Sequence, residues 1–431
     1  MLINTDRGLA VLVLSEILEH KAYSNIALRK ALSESSLDAR SRAFVTDLVN
    51  ETIRNLLLID TILEQFSKTP LLKMKANIRN ILRIAVCQIL FMEHIPDRAA
   101  VNEAVNLTKQ LKLENLSGFV NGILRTILRE DIDLNQITDP AIRYSYPKWL
   151  YHKLTLQLGS AKTLELAQQM HRIPQMIVLT NTVKTNVQLL KQSLEAEGVL
   201  VQMLNGTNIP FLSLKQTGDI TKLTAFKQGW FYVMDPGAYH AVLTLDAKPG
   251  QTIIDLCAAP GGKSFATAMN MNNKGIIHAF DKHAHKIELL FESRRRLGLT
   301  CIQPKLGDAT ILNPDLINAA DAVLLDAPCS GLGTIRKHPE IKYNRNIEDV
   351  QTLAEIQLSM LDVAAEYVKP GGILVYCTCT LLDEENNENI ASFLSEREDF
   401  ICTEMTNIMP CADNDGFFIA KLMKQFNTST H

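Results

Sequence analysis

Two segments place cysteine where it could react. LLDAPCSGLGTIRKHPEIKY, residues 324–343, carries Cys329 three positions after Asp326, and ILVYCTCTLLDEENNENI, residues 373–390, ends an apolar run in Cys377 and Cys379. A thiolate is a strong nucleophile once its pKa is tuned, so a metal site, a redox pair, a core pair and covalent catalysis all have to be weighed. Zinc would need paired C-x₂₋₄-C knuckles or one such pair with spaced histidines. The chain has a single C-x-C, and Cys87, Cys257, Cys301, Cys402 and Cys411 stand alone, so no metal is expected. Free cysteine is among the most buried residue types, and Cys257 and Cys301 read as core thiols.

Carboxylates recur at comparable places. Asp255 opens DLCAAPGGKS (255–264), Asp281 ends GIIHAFD, and Asp308 lies in GDA after CIQPKL. Gly262-Lys263-Ser264 invites a phosphate-loop reading, but that motif needs a glycine where Cys257 stands. A small-residue turn still lets a ligand approach backbone N–H groups. Asp281 is placed to accept from ribose hydroxyls, and Asp308 to meet an adenine amino group. Together they favour an adenosine-containing cofactor without a pyrophosphate, which S-adenosylmethionine satisfies.

The elements that must hold these residues follow from hydrophobic periodicity. From residue 236 onward, TIIDLC, GIIHAFD, CIQPKL, DAVLLD and GGILVYCTC are continuous apolar runs ending in small or polar turns, most of them separated by helical stretches. Runs apolar on both faces mean a parallel sheet covered by helices, a doubly wound Rossmann-like α/β domain over 236–431 whose ligands bind beyond the strand ends. Cys329 and Cys379 then sit at the catalytic edge of adjacent strands. Cys377 shares the face of Cys379, one step back. Residues 1–130 repeat apolar positions at three- and four-residue spacing and predict an all-α bundle, with Asp97 as a helix cap. Residues 131–149, with Pro140 and Pro147, form a linker, and 150–235 predict a small α/β (RRM-like) module.

Composition bounds the rest. At 431 residues, 46% apolar and 21% charged, the chain is multidomain and globular rather than disordered. No apolar run is long enough for a bilayer, and the first residues read as an amphipathic helix rather than a leader. Free thiols and a cytoplasmic location are expected. A net charge of −3 confines any nucleic-acid contact to a local patch. Helical arginines such as Arg79, Arg83, Arg125 and Arg129 read first as a solvated face.

DLCAAPGGKS, DAPCSGLGTIRKHPEIK, VYCTCTLLDEENNENI and DGFFIAKL (415–422) resemble the signature set of the RNA 5-methylcytosine methyltransferases. LVNETIRN, IRNILRIAVCQILF, IPDRAAVNEAV and GFVNGILRTILR resemble the NusB-like RNA-binding domain. With YSYPKWL at the junction, the combination is similar to the RsmB (Fmu/Sun) type over nearly the whole chain.

That resemblance implies transfer of a methyl group from S-adenosylmethionine to carbon 5 of a cytosine in 16S ribosomal RNA. It implies Cys379 as the nucleophile that adds to carbon 6, Cys329 as the thiol that helps release product, and Asp326 as the carboxylate that stabilises the ring. It places the cofactor along Cys257, Ala258, Ala259, Pro260, Gly261, Gly262 and Lys263, with Asp281, Asp308 and Asp326. The target base must leave its stack to meet a buried thiol. Arg336-Lys337-His338 then suits phosphate contacts at the cleft mouth, and the helical arginines become candidates for RNA docking. No membrane and no obligate protein partner is implied. The chain departs from the family's usual residues at Cys377, at Leu179 before Thr180-Asn181, and at Met234 before Asp235. Two rival readings are a non-catalytic NusB-like RNA-binding or antitermination factor and a methyltransferase acting on another RNA, DNA or protein.

Overall fold

A computed structural model of the chain describes residues 5–130, 132–204 and 210–426. The first four residues of the expected leading helix, residue 131 of the expected linker, 205–209 of the small module and the last five residues lie outside the described set. The chain divides into two compact units, one of residues 1–171 with 335–346, the other of residues 172–334 with 347–431.

In the first unit, helices Asp6–Glu19, Ala39–Arg54, Leu56–Phe66, Ala76–Phe91, Asp97–Gln110 and Ser117–Glu130 follow the apolar periodicity. Helix Ala76–Phe91 is buried along most of its length, from Ile78 to Gln88. Its two buried arginines find carboxylates: Arg83 makes a two-pronged bond to Asp60 at 2.7 and 2.6 Å, and Arg79 pairs with Glu19. Arg79 and Arg83 thus belong to the interior of the bundle, neither to a solvated face nor to an RNA surface, whereas Arg125 and Arg129 are exposed. Asp97 stands in the first helical turn and makes no capping bond; Pro96 holds the cap position. Helices Lys148–Leu158 and Ser160–His171 belong to this unit, so the division falls at His171 rather than at residue 150.

Segment 335–346 threads into the same bundle. Glu340 accepts from the Ser24 N–H at 2.9 Å, and Tyr343 Oη bonds the carbonyls of Ile53 and Ser145 at 3.1 and 3.0 Å. Lys342 donates to the carbonyls of Arg54 and Tyr144 and lies over the rings of Tyr146 and Tyr343. Arg336 is 2% exposed, which removes it as a phosphate contact.

The second unit holds two sheets. Strands β1 (Met176–Thr180), β2 (Leu200–Met203), β3 (Phe211–Lys215) and β4 (Phe231–Val233) pair antiparallel in the order β2-β3-β1-β4. Strand alternation divides their side chains: Ile177, Leu179 and Phe211 enter the large-domain core, while Val178, Leu212 and Leu214 pack with helix Val187–Ala196. Both faces of this sheet are therefore occupied. Asn181 is buried at the joint, its amide donating to the carbonyls of Gly229 and Leu297 at 2.8 Å each.

The large sheet comprises β5 (Thr252–Asp255), β6 (Ile276–Asp281), β7 (Ile302–Leu306), β8 (Ala320–Asp326), β9 (Val368–Thr378), β10 (Phe400–Ile408) and β11 (Phe417–Lys424), in the order β10-β11-β9-β8-β5-β6-β7. Strands β5 to β9 are parallel and covered by helices on both faces; β10 and β11 are an antiparallel hairpin added beside β9, so the sheet is mixed rather than wholly parallel. The strand order reverses at β5, which puts a crevice beyond the carboxyl ends of β5 and β8. Among the described residues no helix is long and apolar enough to cross a membrane.

Candidate active site

Register brings the reactive residues together. Strands β8 and β9 pair with Asp326 opposite Cys377, and β5 pairs with β8 with Asp255 opposite Leu324. The carboxyl ends of these three strands are thus level, and the turns that follow them converge. Cys329 in the turn after β8 and Cys379, one residue beyond β9, meet with their sulfurs 3.3 Å apart. The β9 end is pinned by two backbone bonds: the Ala327 N–H donates to the Cys377 carbonyl at 3.0 Å and the Gly333 N–H to the Cys379 carbonyl at 2.8 Å.

A cavity of about 290 Å³ opens at this edge. Cys257, Ala259, Asp281, Asp308, Asp326, Cys329 and Cys379 all line it. Ala258, Pro260, Gly261, Gly262 and Lys263 are not in its wall; they shape the turn behind it and start helix Gly262–Asn270. Gly261 has a φ of +113°, and a Cβ there would stand 2.3 Å from the Phe265 ring, so the turn needs glycine.

Lys263 points to the strand ends, its Nζ donating to Asp326 Oδ2 at 2.6 Å. Burial is the largest single influence and works against its charge, but the Asp326 carboxylate, through charge and hydrogen bond, together with Cys377 and Cys379, holds the ammonium above its ordinary pKa. The Cys377 thiol, fully buried, reaches the other oxygen of Asp326 at 3.5 Å. Burial, with the Asp326 charge beside it, raises the Cys377 thiol well above its usual range. Cys377 shares the Cys379 face, as strand alternation requires, and packs in the core behind it.

The Cys329 thiol is also raised, first by its contact with Cys379, then by burial, with Glu385 contributing. A thiol held that way keeps its proton at neutral pH. Burial lifts Asp255 to about 7 against the bond it accepts from Ser264 at 2.5 Å, and its Oδ1 is buried without a hydrogen-bond partner.

The acceptor set fits the adenosine part of a ligand. Two cavity-lining carboxylates stand at adjacent strand ends, Asp281 with its Oδ1 held by the His283 N–H at 2.9 Å, and Asp308 held by Thr310. Sequence reasoning missed His283 and Lys286 in the cavity wall, although their place directly after a strand end was a usable signal. Met360 comes from the middle of helix Ile347–Tyr367, where no strand-end pattern points to it.

With this geometry in hand, the chain can be set beside known proteins. The family described as 16S rRNA methyltransferase RsmB/F matches residues 242–423, and the NusB family matches residues 4–129. Proteins named probable ribosomal RNA small subunit methyltransferase B are similar along their length. The one from Synechocystis sp. is 33% identical, covering 97% of this chain and 99% of its own. The one from Bacillus subtilis is 36% identical, covering 91% and 89%. The solved structure described as the crystal structure of PH0851 superposes with a TM-score of 0.82 at 27% identity, over 98% of this chain and all of that one.

Proposed function

The chain belongs to the RsmB/F family of 16S rRNA methyltransferases, and we propose that it methylates carbon 5 of a cytosine in small-subunit ribosomal RNA through a covalent adduct on Cys379. The observation that carries this reading is the 3.3 Å contact of Cys329 and Cys379 in the wall of a cavity that Asp326 also lines.

S-adenosylmethionine, when bound, supplies the electrophilic methyl group. Asp281 would hold its ribose hydroxyls, Asp308 its adenine amino group, and the Cys257–Lys263 turn the remainder. Carbon 5 of cytosine is a weak nucleophile. The Cys379 thiolate adds to carbon 6, and the displaced ring electrons make carbon 5 an enamine carbon able to take the methyl. Ring nitrogen 3 takes a proton from water as the thiolate adds and gives it back to water when the ring is restored; in between, Asp326, oriented by Lys263, accepts a hydrogen bond from that N–H. After transfer, the carbon 5 proton leaves to water, its bonding pair restores the ring double bond, and the carbon–sulfur pair returns to Cys379. Cys329, which keeps its proton and touches that sulfur, donates to it as negative charge develops there.

The test uses labelled S-adenosylmethionine, 16S rRNA and two variants. Cys379→Ala abolishes methyl transfer and forms no adduct, whereas Cys329→Ala attacks the base and accumulates a protein–RNA adduct stable to denaturant. Adduct formation by Cys379→Ala would reverse the roles of the two thiols.

A further inference from the structure

Glu385 touches no reacting atom in the mechanism above, yet it is fully buried and bonds Ser330, the residue after Cys329. Its three-residue run Asp383–Glu385 forms a short 3₁₀ turn, not the start of the following helix, and this directs the third acid inward. One carboxylate oxygen accepts from the Ser330 N–H at 2.7 Å and from Gln357 Nε2 at 3.0 Å; the other accepts from Ser330 Oγ at 2.5 Å. Gln357 Nε2 also bonds the Pro328 carbonyl at 2.9 Å, so the residues on either side of Cys329 are tied to one network. Ser330 Oγ in turn meets Thr380 Oγ1 at 2.8 Å, linking the residue after Cys329 to the residue after Cys379. Tyr376 closes the ring, bonding Gln357 Oε1 at 3.0 Å and the Glu385 carbonyl at 2.6 Å.

A buried charge is costly unless it is fully paired. A salt-bridge partner would have sufficed for stability, but here every donor comes from groups that shape the Pro328-Cys329-Ser330 turn. We propose that Glu385 is a positioning residue for methyl transfer: by gripping Ser330 through main chain and side chain together, it holds Cys329 against Cys379 for the step that releases product. This rests on the thiol assignment above. The negative charge of Glu385 also adds to the effects that keep Cys329 protonated, which suits a thiol that donates to a departing thiolate.

Glu385→Gln tests it, because the amide keeps the shape but turns one acceptor into a donor facing Ser330 or Gln357. Turnover with 16S rRNA falls at least tenfold, affinity for S-adenosylmethionine changes less than twofold, and a denaturant-stable protein–RNA adduct accumulates although both thiols are present. A role in stability alone would reduce turnover without that adduct. Ser330→Ala, which removes only the hydroxyl leg, shows the same adduct to a smaller degree and decides the matter should Glu385→Gln fail to fold. Turnover within twofold of the parent, or a fall without adduct, overturns the proposal. Cys379→Ala and Cys329→Ala run alongside: if they do not behave as described above, the thiol assignment has failed, whereas if they do and Glu385→Gln turns over normally, only the role of Glu385 has.

Discussion

Lys263 and Asp326 form an ion pair of 2.6 Å that ties the start of the helix after β5 to the carboxyl end of β8, with the lysine nearly buried and the carboxylate about a third exposed. The pair gives Asp326 one engaged oxygen and leaves the other towards Cys377. Asp326→Asn is expected to slow methyl transfer by about 10²–10⁴-fold, the range for a positioned acid–base group. It also strands a buried ammonium, at a stability cost of about 1–3 kcal/mol once the carboxylate's exposure is allowed for. Lys263→Met added to Asp326→Asn restores thermal stability but not activity. A double variant as unstable as Asp326→Asn would show that the pair carries no such coupling.

Cys377 offers a contrast, because it touches the same carboxylate yet lies wholly in the core. Its raised pKa leaves little thiolate at neutral pH. Alkylation of the native chain with iodoacetamide, read by mass spectrometry, should mark the exposed Cys411 and spare Cys377. Cys377→Ala should keep turnover within about threefold and cost about 1 kcal/mol of stability. Rapid labelling of Cys377, or a tenfold loss of turnover, would bring it into the chemistry.

Gly333 bears on Cys379 through the backbone. A Cβ at Gly333 would stand 2.2 Å from the Gly416 carbonyl oxygen and 2.7 Å from that of Cys379. Gly333→Ala must therefore push the end of β9 away from the turn after β8, with an overpacking cost of about 1–3 kcal/mol. Methyl transfer should fall at least tenfold while the affinity for S-adenosylmethionine, measured calorimetrically, stays near that of the parent. Unchanged turnover would mean that the β9 end tolerates displacement.

What was legible in the sequence follows a physical line. Apolar runs ending in Asp255, Asp281, Asp326 and Cys379 announce strands and their ligand edge, since alternation and crossover rules act locally. Side chains whose partners lie far along the chain were not legible. Arg79 and Arg83 look like surface charges until Glu19 and Asp60 close on them, and Arg336 looks like a phosphate ligand until its segment enters the helical bundle. Nothing in DEEN distinguishes the buried Glu385 from the two acids before it. The β10–β11 hairpin hides because β10 is an edge strand with few buried side chains.

His171 supplies a pH effect confined to the helical unit. Burial, followed by the charges of Lys342, Arg54 and Arg143, pushes its pKa down to about 3, and its ring packs edge-on to Tyr144. The unfolded imidazole titrates near 6.5, so between about pH 3 and 6.5 the unfolded chain binds a proton that the folded chain refuses. Stability is therefore lost as pH falls through that window, by up to about 1.4 kcal/mol per unit for this group. His171→Phe keeps a ring beside Tyr144 and removes the titration. Its unfolding free energy from urea titration should drop less than the parent's between pH 6.5 and 4.5, by about 2 kcal/mol. Equal drops in the two proteins would show that His171 titrates normally in the fold.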